Sequence, residues 1–329
     1  MRRICVVVMA AFFAATGLKA QIFAWNLENF FDTRDDPATA DDGFTPGGEY
    51  RWTRRKFMAK RNLIAKTIIA SGERFGGDLP ALVGLCEVEN CYVLESLVND
   101  TPLARLRYRI LHRDSPDPRG IDVALLYDPA RVKVLAHGWI TVREFATREI
   151  LYAKVALGGE AASRNRADTN DRAATPPDTL HVYVNHWPSK YGGAKASEHK
   201  RQAVCDALLA HLDSLQQAEP AAAIVLMGDF NDTPDAGVIM ELCRVANLQN
   251  ITPKEGGTIK YKGEWEMIDQ MLASPAAACK IGPAEVFRPG FLLEEDKAFL
   301  GRKPRRTNIG PRYNGGASDH LPIIADILR

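Results

Sequence analysis

The sequence lacks the signatures of several enzyme classes. Its 329 residues include only six cysteines. No C-x-x-C pair and no H-E-x-x-H occurs, so a zinc centre of the usual ligand spacing has no support. A G-x-S-x-G elbow and a P-loop are also absent, which removes the elbow-type serine hydrolases and the nucleotide triphosphatases. Neither sign of charge dominates, with 42 Lys and Arg against 41 Asp and Glu. A general basic field of the kind that carries non-specific nucleic-acid binding is therefore missing. There is no internal repeat and no long Gly/Ser or Pro linker, which argues for one large domain.

What is present begins with a leader. Arg2 and Arg3 precede an apolar run from Ile4 to Gly17, and Leu18-Lys19-Ala20 closes on a small residue. This is the pattern of a secretory signal peptide over residues 1–20, with the mature chain, residues 21–329, starting at Gln21 and placed in the periplasm or secreted. The run is too short to serve comfortably as a membrane span, so no stable membrane anchor is expected. Loss of Arg2, Arg3 and Lys19 leaves 39 basic residues against 41 acidic ones and a formal charge of −2. A polyanionic substrate would then be held by local patches and metal. The remaining cysteines, Cys86, Cys91, Cys205, Cys243 and Cys279, are odd in number and irregularly spaced, and read as buried free thiols.

Short apolar runs bounded by turn or polar residues predict strands at 22–25, 81–85, 123–127, 180–184, 224–227, 267–272 and 321–327. Residues 52–70 carry Phe57, Ile64 and Ile68 on one helical side. Residues 197–215 repeat Val204, Leu208, His211, Leu212 and Leu215 at helical steps. Strands mixed with amphipathic helices predict sheets covered on their outer faces by helices. The polar segment 158–179, closed by Pro176-Pro177, reads as a mobile loop in a hairpin.

The chemistry recurs in one position, just after apolar strands. Asn26 and Glu28 follow the first run, Glu87 the second, and Asn185-His186 the run at 180–184. Asp229 and Asn231 follow 224–227, Asp269 falls within 267–272, and Asp319-His320 opens the last strand. Taken singly, each has a bland reading. Glu87 could be a first-turn acid of the next helix, Asp229 the head of an Asx turn, and His186 a satisfied strand-end histidine. Taken together, they place hard oxygen donors and two imidazoles at loop ends, which is what a metal-assisted hydrolase needs.

Six segments carry a resemblance: Trp25-Asn26-Leu27-Glu28-Asn29, Leu85-Cys86-Glu87-Val88-Glu89, Val184-Asn185-His186-Trp187-Pro188-Ser189, Gly228-Asp229-Phe230-Asn231-Asp232, Met267-Ile268-Asp269 and Ser318-Asp319-His320-Leu321-Pro322. In this order they resemble the endonuclease/exonuclease/phosphatase superfamily. Phe44-Thr45-Pro46, Arg119-Gly120-Ile121-Asp122 and Gly315-Gly316 resemble exported bacterial members often described as nucleases. The resemblance implies an α/β (α+β) fold, a four-layer αββα sandwich of two mixed sheets with the active site at one end. It implies magnesium, with Mn2+ or Ca2+ as substitutes, held by Glu87 with Asn26 and Asp319. Glu28 matches a metal-binding acid of the abasic-site enzymes. By the same resemblance Asp229 and Asn231 orient water and hold phosphate. His320, oriented by Asp269, acts as general base or binds the scissile phosphate, and His186 stabilises or protonates the leaving oxygen.

Arg305, Arg306, Asn185 and Lys190, with Tyr191 beside it, are candidates for substrate binding. The basic run from Arg54 through Arg61 reads as a solvated helix face. The expected substrate is nucleic acid and the expected state a monomer. The alternative is a phosphatase or phospholipase-type enzyme acting on a lipid head group or sugar phosphate, for which Phe287 and Phe291-Leu292-Leu293 are the only candidate membrane-facing tip.

Overall fold

The computed structural model describes residues 20–158, 178–190 and 193–328. The expected leader, nearly all of the polar 158–179 segment and Tyr191 lie outside these residues. Strand β1 (Ala20–Phe30) leads through helix α1 (Arg54–Ser71) to β2 (Leu82–Val88), and helix α2 (Cys91–Asn99) leads to the hairpin of β3 (Arg109–His112) and β4 (Asp122–Tyr127). Strands β5 (Val132–Ile140), β6 (Ile150–Leu157) and β7 (Thr179–His186) follow, and helix α3 (Ala194–Ala218) carries the chain to β8 (Ile224–Asp229). Helix α4 (Gly237–Val245) precedes β9 (Gln249–Asn250), the hairpin β10 (Ile259–Tyr261) and β11 (Glu264–Glu266), and β12 (Asp269–Ala273). After the four-residue α5 (Pro275–Ala278) come β13 (Glu285–Val286), the hairpin β14 (Leu293–Glu295) and β15 (Arg302–Pro304), the hairpin β16 (Asn308–Ile309) and β17 (Arg312–Tyr313), and β18 (Ile323–Ile327).

Two six-stranded sheets result, ordered β13-β18-β1-β2-β4-β3 and β5-β6-β7-β8-β12-β9. Each contains one parallel pair, β1 with β2 and β7 with β8, among antiparallel neighbours. A parallel pair needs a crossover, and the two longest helices, α1 and α3, supply them.

The layers follow from strand periodicity, because alternate residues face opposite sides of a sheet. In β1, Ile22 and Ala24 join a core between the sheets, together with Val182, Val184, Val225 and Met227. Phe23, Trp25 and Leu27 point the other way and pack with Phe57, Ile64 and Ile68 of α1. On the far side, Tyr183, Ile224 and Leu226 pack with Val204, Leu208 and Leu212 of α3. Three apolar interfaces separate four layers, as the expected αββα sandwich requires. The sheets meet closely at Gly84, where a Cβ would stand 2.7 Å from Met227 Cε. No helix among the described residues is long and apolar enough to cross a membrane.

Some expectations are corrected. All five described cysteines are free, but only Cys86 and Cys205 are buried, while Cys91 and Cys279 are exposed. Phe287 and Leu292 are core residues, so the proposed apolar tip is absent there. Exposed apolar side chains stand instead at Tyr261, Phe299 and Leu300. Lys60 and Arg61 do not belong to a solvated face. They are buried, Lys60 donating to Glu28 O and Thr307 Oγ1, and Arg61 to Ser96 Oγ and Asp100.

Candidate active site

Both parallel pairs end at the same edge of the sandwich. Register places Asn26 beside Cys86, His186 beside Asp229, and Asp229 beside Asp269. Local backbone then turns the functional side chains outward. A bulge between Cys86 and Val88 leaves Glu87 at a φ of 58°, and Asn231 has a φ of 51°. Such left-handed positions in non-glycine residues are costly and concentrate at functional sites. Gly228, at a φ of 126°, lies so close to β7 that a Cβ would meet Asn185 O at 2.1 Å. Only glycine fits there.

These ends enclose a cavity of about 730 Å³ lined by Glu28, Glu87, His186, Asp229, Asn231, Asp319 and His320. Arg119, Lys190, Arg306, Tyr261 and Glu266 are among the further residues at its rim. Asn26 and Asp269 stand one hydrogen bond behind the lining. Asn26 Nδ2 donates to Asp229 Oδ2 at 2.9 Å, and Asp269 Oδ2 meets His320 Nδ1 at 2.7 Å. The Asp319-His320 loop is fixed to β1, since Ser318 Oγ donates to Asn26 O and Trp25 Nε1 to His320 O.

The two imidazoles differ in charge. Burial alone would lower the His320 pKa, but the Asp269 charge and hydrogen bond outweigh it, with Asp229 and Asp319 adding, and hold it well above its ordinary value. His186 is held well below, by burial first and then by the positive charges of Arg148, Arg119 and His320. Its Nε2 lies 3.8 Å from Glu87 and 3.7 Å from Asp229. Between the two rings, a proton is therefore favoured on His320.

Negative charge is in excess. Burial and the Asp269 charge push Asp229 up to about 7, and burial and Asp319 push Glu28 up to about 7. Arg306 bridges Glu28 and Asp319 at 3.1 and 2.9 Å, and Arg119 donates to Asn29 Oδ1 at 2.7 Å while lying 3.7 Å from Glu87. This donor set fits a hard divalent cation. Glu87 and Asp319 face it from the lining with carboxylate oxygens, Asn26 stands behind them with its Oδ1 accepting from Glu28 N at 2.9 Å, and Asp229, Asp269 and His320 bring ligand atoms within 4.8 Å of one another as a second candidate grouping.

Other sequence candidates fall elsewhere. Asn185 is fully buried, accepting from Trp187 Nε1, and Arg305 bonds Asn314 O; neither lines the cavity. Lys190 reaches the rim while pairing with Asp232 at 2.9 Å. Glu87 caps no helix, because Asn90 accepts from Val93 N at the start of α2. Asp229 does form an Asx turn, accepting from Asn231 N at 2.8 Å, and the same carboxylate lines the cavity. Lys60, Arg119 and Tyr261 were not foreseen as site residues. Lys60 was detectable, because it falls on the helical stripe of Phe57 and Ile64.

The endonuclease/exonuclease/phosphatase family profile matches residues 21–329. The chain belongs to that family. Its members hydrolyse phosphoesters, and the cavity is the corresponding candidate centre. The fold is shared with several solved structures. An endonuclease/exonuclease/phosphatase family protein from Bacteroides thetaiotaomicron aligns with a TM-score of 0.56 at 12% identity, covering 94% of this chain and 97% of that one. A mannosyl-6-phosphatase from the same organism aligns with a TM-score of 0.56 at 13% identity, covering 94% and 100%. The catalytic domain of human nocturnin, with a bound sulfate, aligns with a TM-score of 0.55 at 16% identity, covering 94% and 93%. No curated protein matches the chain.

Proposed function

We propose that this family member is an exported, magnesium-dependent phosphodiesterase that hydrolyses nucleic-acid phosphodiester bonds. The observation that carries the reading is the meeting of an Asp269-held imidazolium, a neutral His186 and five carboxylates around one cavity. Glu87, Asp319 and Asn26 would hold the magnesium, which supplies Lewis-acid neutralisation of the phosphate oxygens. His320, held protonated by Asp269, binds the scissile phosphate as negative charge develops. Asp229, titrating near 7, is matched to take a proton from attacking water, and Asn231 fixes its orientation through two hydrogen bonds. His186 donates a hydrogen bond to the leaving oxygen. Arg306 carries the substrate's flanking charge.

A second reading, a phosphatase acting on a small phosphomonoester, is favoured by the convergence of Arg119, Lys190 and Arg306 on one rim. The test incubates mature protein with plasmid DNA, RNA, sphingomyelin and sugar phosphates, with magnesium or chelator. Magnesium-dependent nicking of nucleic acid is expected. Cleavage of lipid or phosphomonoester alone would displace the first reading.

A further inference from the structure

A second cluster of cation-binding side chains lies outside the catalytic cavity, where β3 turns into β4. His112 ends β3, Asp122 begins β4, and Asp114 stands in the loop between them. One ligand atom from each comes within 4.8 Å of the other two. The spacing H-x-D-x7-D contains no cysteine and one histidine, so no familiar sequence motif marks it.

The decisive feature is the imidazole. The His112 side chain is 4% exposed, and its buried Nε2 has no hydrogen-bond partner. It points at Asp122 Oδ2 from 3.8 Å, while Nδ1 lies 3.9 Å from Asp114 Oδ1. Both gaps are too wide for hydrogen bonds. An orphaned ring nitrogen in that position is unfavourable unless something occupies the gap. Burial lowers the His112 pKa while the Asp114 charge opposes it, and burial pushes Asp122 up to about 7. Asp122 is oriented from behind: its Oδ1 accepts from Ser115 N at 2.9 Å, leaving Oδ2 turned to the histidine. Nearby arginines are engaged elsewhere, Arg113 with Glu149, Arg148 with Asp117, and Arg119 with Asn29.

We propose that His112, Asp114 and Asp122 form a second divalent-cation site, separate from the phosphoester centre, that takes a borderline ion of the zinc class. One imidazole with two carboxylates suits such an ion, whereas calcium and magnesium prefer all-oxygen sets. A neutral ring with an available lone pair is the form that binds metal. Asp114 stands 82% exposed, which leaves water access on the open side. The site has a structural consequence for the active centre. The loop it closes, residues 113–121, carries Arg119 to Asn29 and Glu87, so the ion holds in place the arginine that reaches the catalytic rim.

The test titrates mature protein, 15N-labelled at histidine, with Zn2+ alone and follows the ring signals of His112, assigned by their loss in His112→Gln. The His112 signals are expected to shift on binding and to do so equally in Glu87→Gln, where the phosphoester centre is altered. Asp114→Asn changes an exposed side chain and so leaves folding intact; it should weaken the response about 10-fold or more, as should Asp122→Asn. Signals that stay still at saturating Zn2+, a response lost in Glu87→Gln, or equal affinity in wild type and both aspartate variants would each overturn the site. None of these outcomes bears on the phosphodiesterase reading, which rests on other residues.

Discussion

His186 and His320 line one cavity yet hold different charge, because only His320 has a carboxylate at hydrogen-bond distance. Replacing either with alanine should lower turnover about 10²–10⁴-fold; unchanged rates in both variants would remove the mechanism. Asp269→Asn keeps the shape but withdraws the charge that raises His320. The alkaline limb of the rate profile should therefore move to lower pH, and a profile that stays in place would contradict this origin. Glu89, beside the site, offers a stability test. Burial, with Asp32, Asp41 and Asp36 adding, pushes its carboxyl from 4.5 up to about 8 despite a hydrogen bond from Asp32 N. The folded protein thus holds this proton more tightly than the unfolded chain does. The resulting stabilisation is complete below pH 4.5 and is lost as pH rises to about 8. Glu89→Gln should flatten the fall in melting temperature across that window, whereas parallel curves for variant and wild type would refute the assignment.

Among the elements, the parallel pair of β7 and β8 carries the strictest packing demand. Its register sets His186 beside Asp229, and it depends on the close passage of Gly228 over Asn185 O. Gly228→Ala combines a backbone clash with an unfavourable φ. It should destabilise the protein by roughly 3 kcal/mol or more in urea titration; a loss below about 1 kcal/mol would mean the strand ends shift freely. Helix α1 serves in two ways. Its apolar stripe covers the first sheet, and Lys60 on the same stripe fastens Glu28 to Thr307, so the helix braces the cavity floor.

For the molecule as a whole, the cavity gathers residues from both sheets and from the segment before β18, so its charge balance is a property of the folded state alone. A divalent cation that binds only this state should raise the unfolding free energy, by about 2.7 kcal/mol at a hundredfold excess over its Kd. Calorimetry with magnesium should show a higher melting temperature that chelator reverses. An unchanged melting temperature would mean that the acids do not hold a cation.

Strand-end chemistry was legible along the chain because apolar runs of four to eight residues stop where polar groups begin, and this located Glu87, His186, Asp229, Asp269 and His320. The helical periodicities of α1 and α3, and with them sheets covered by helices, were legible for a related reason, since burial imposes a period of 2 or 3.6 on any sequence; the four-layer sandwich itself was implied by the resemblance. Strands β5 and β6 were not anticipated: β5 is largely exposed, so its sequence carries no clear apolar alternation. The contacts made by Lys60, Arg119 and Arg306 could not be read, because a long cationic side chain looks alike in sequence whatever group it meets. Their partners lie far along the chain, with Lys60 bonded to Thr307 and Arg306 to Glu28. Local composition determined which elements form and what chemistry their ends can offer. Only the tertiary structure decided which charges face one another, and thereby which imidazole keeps its proton, because those energies depend on distances and desolvation that arise when the sheets close.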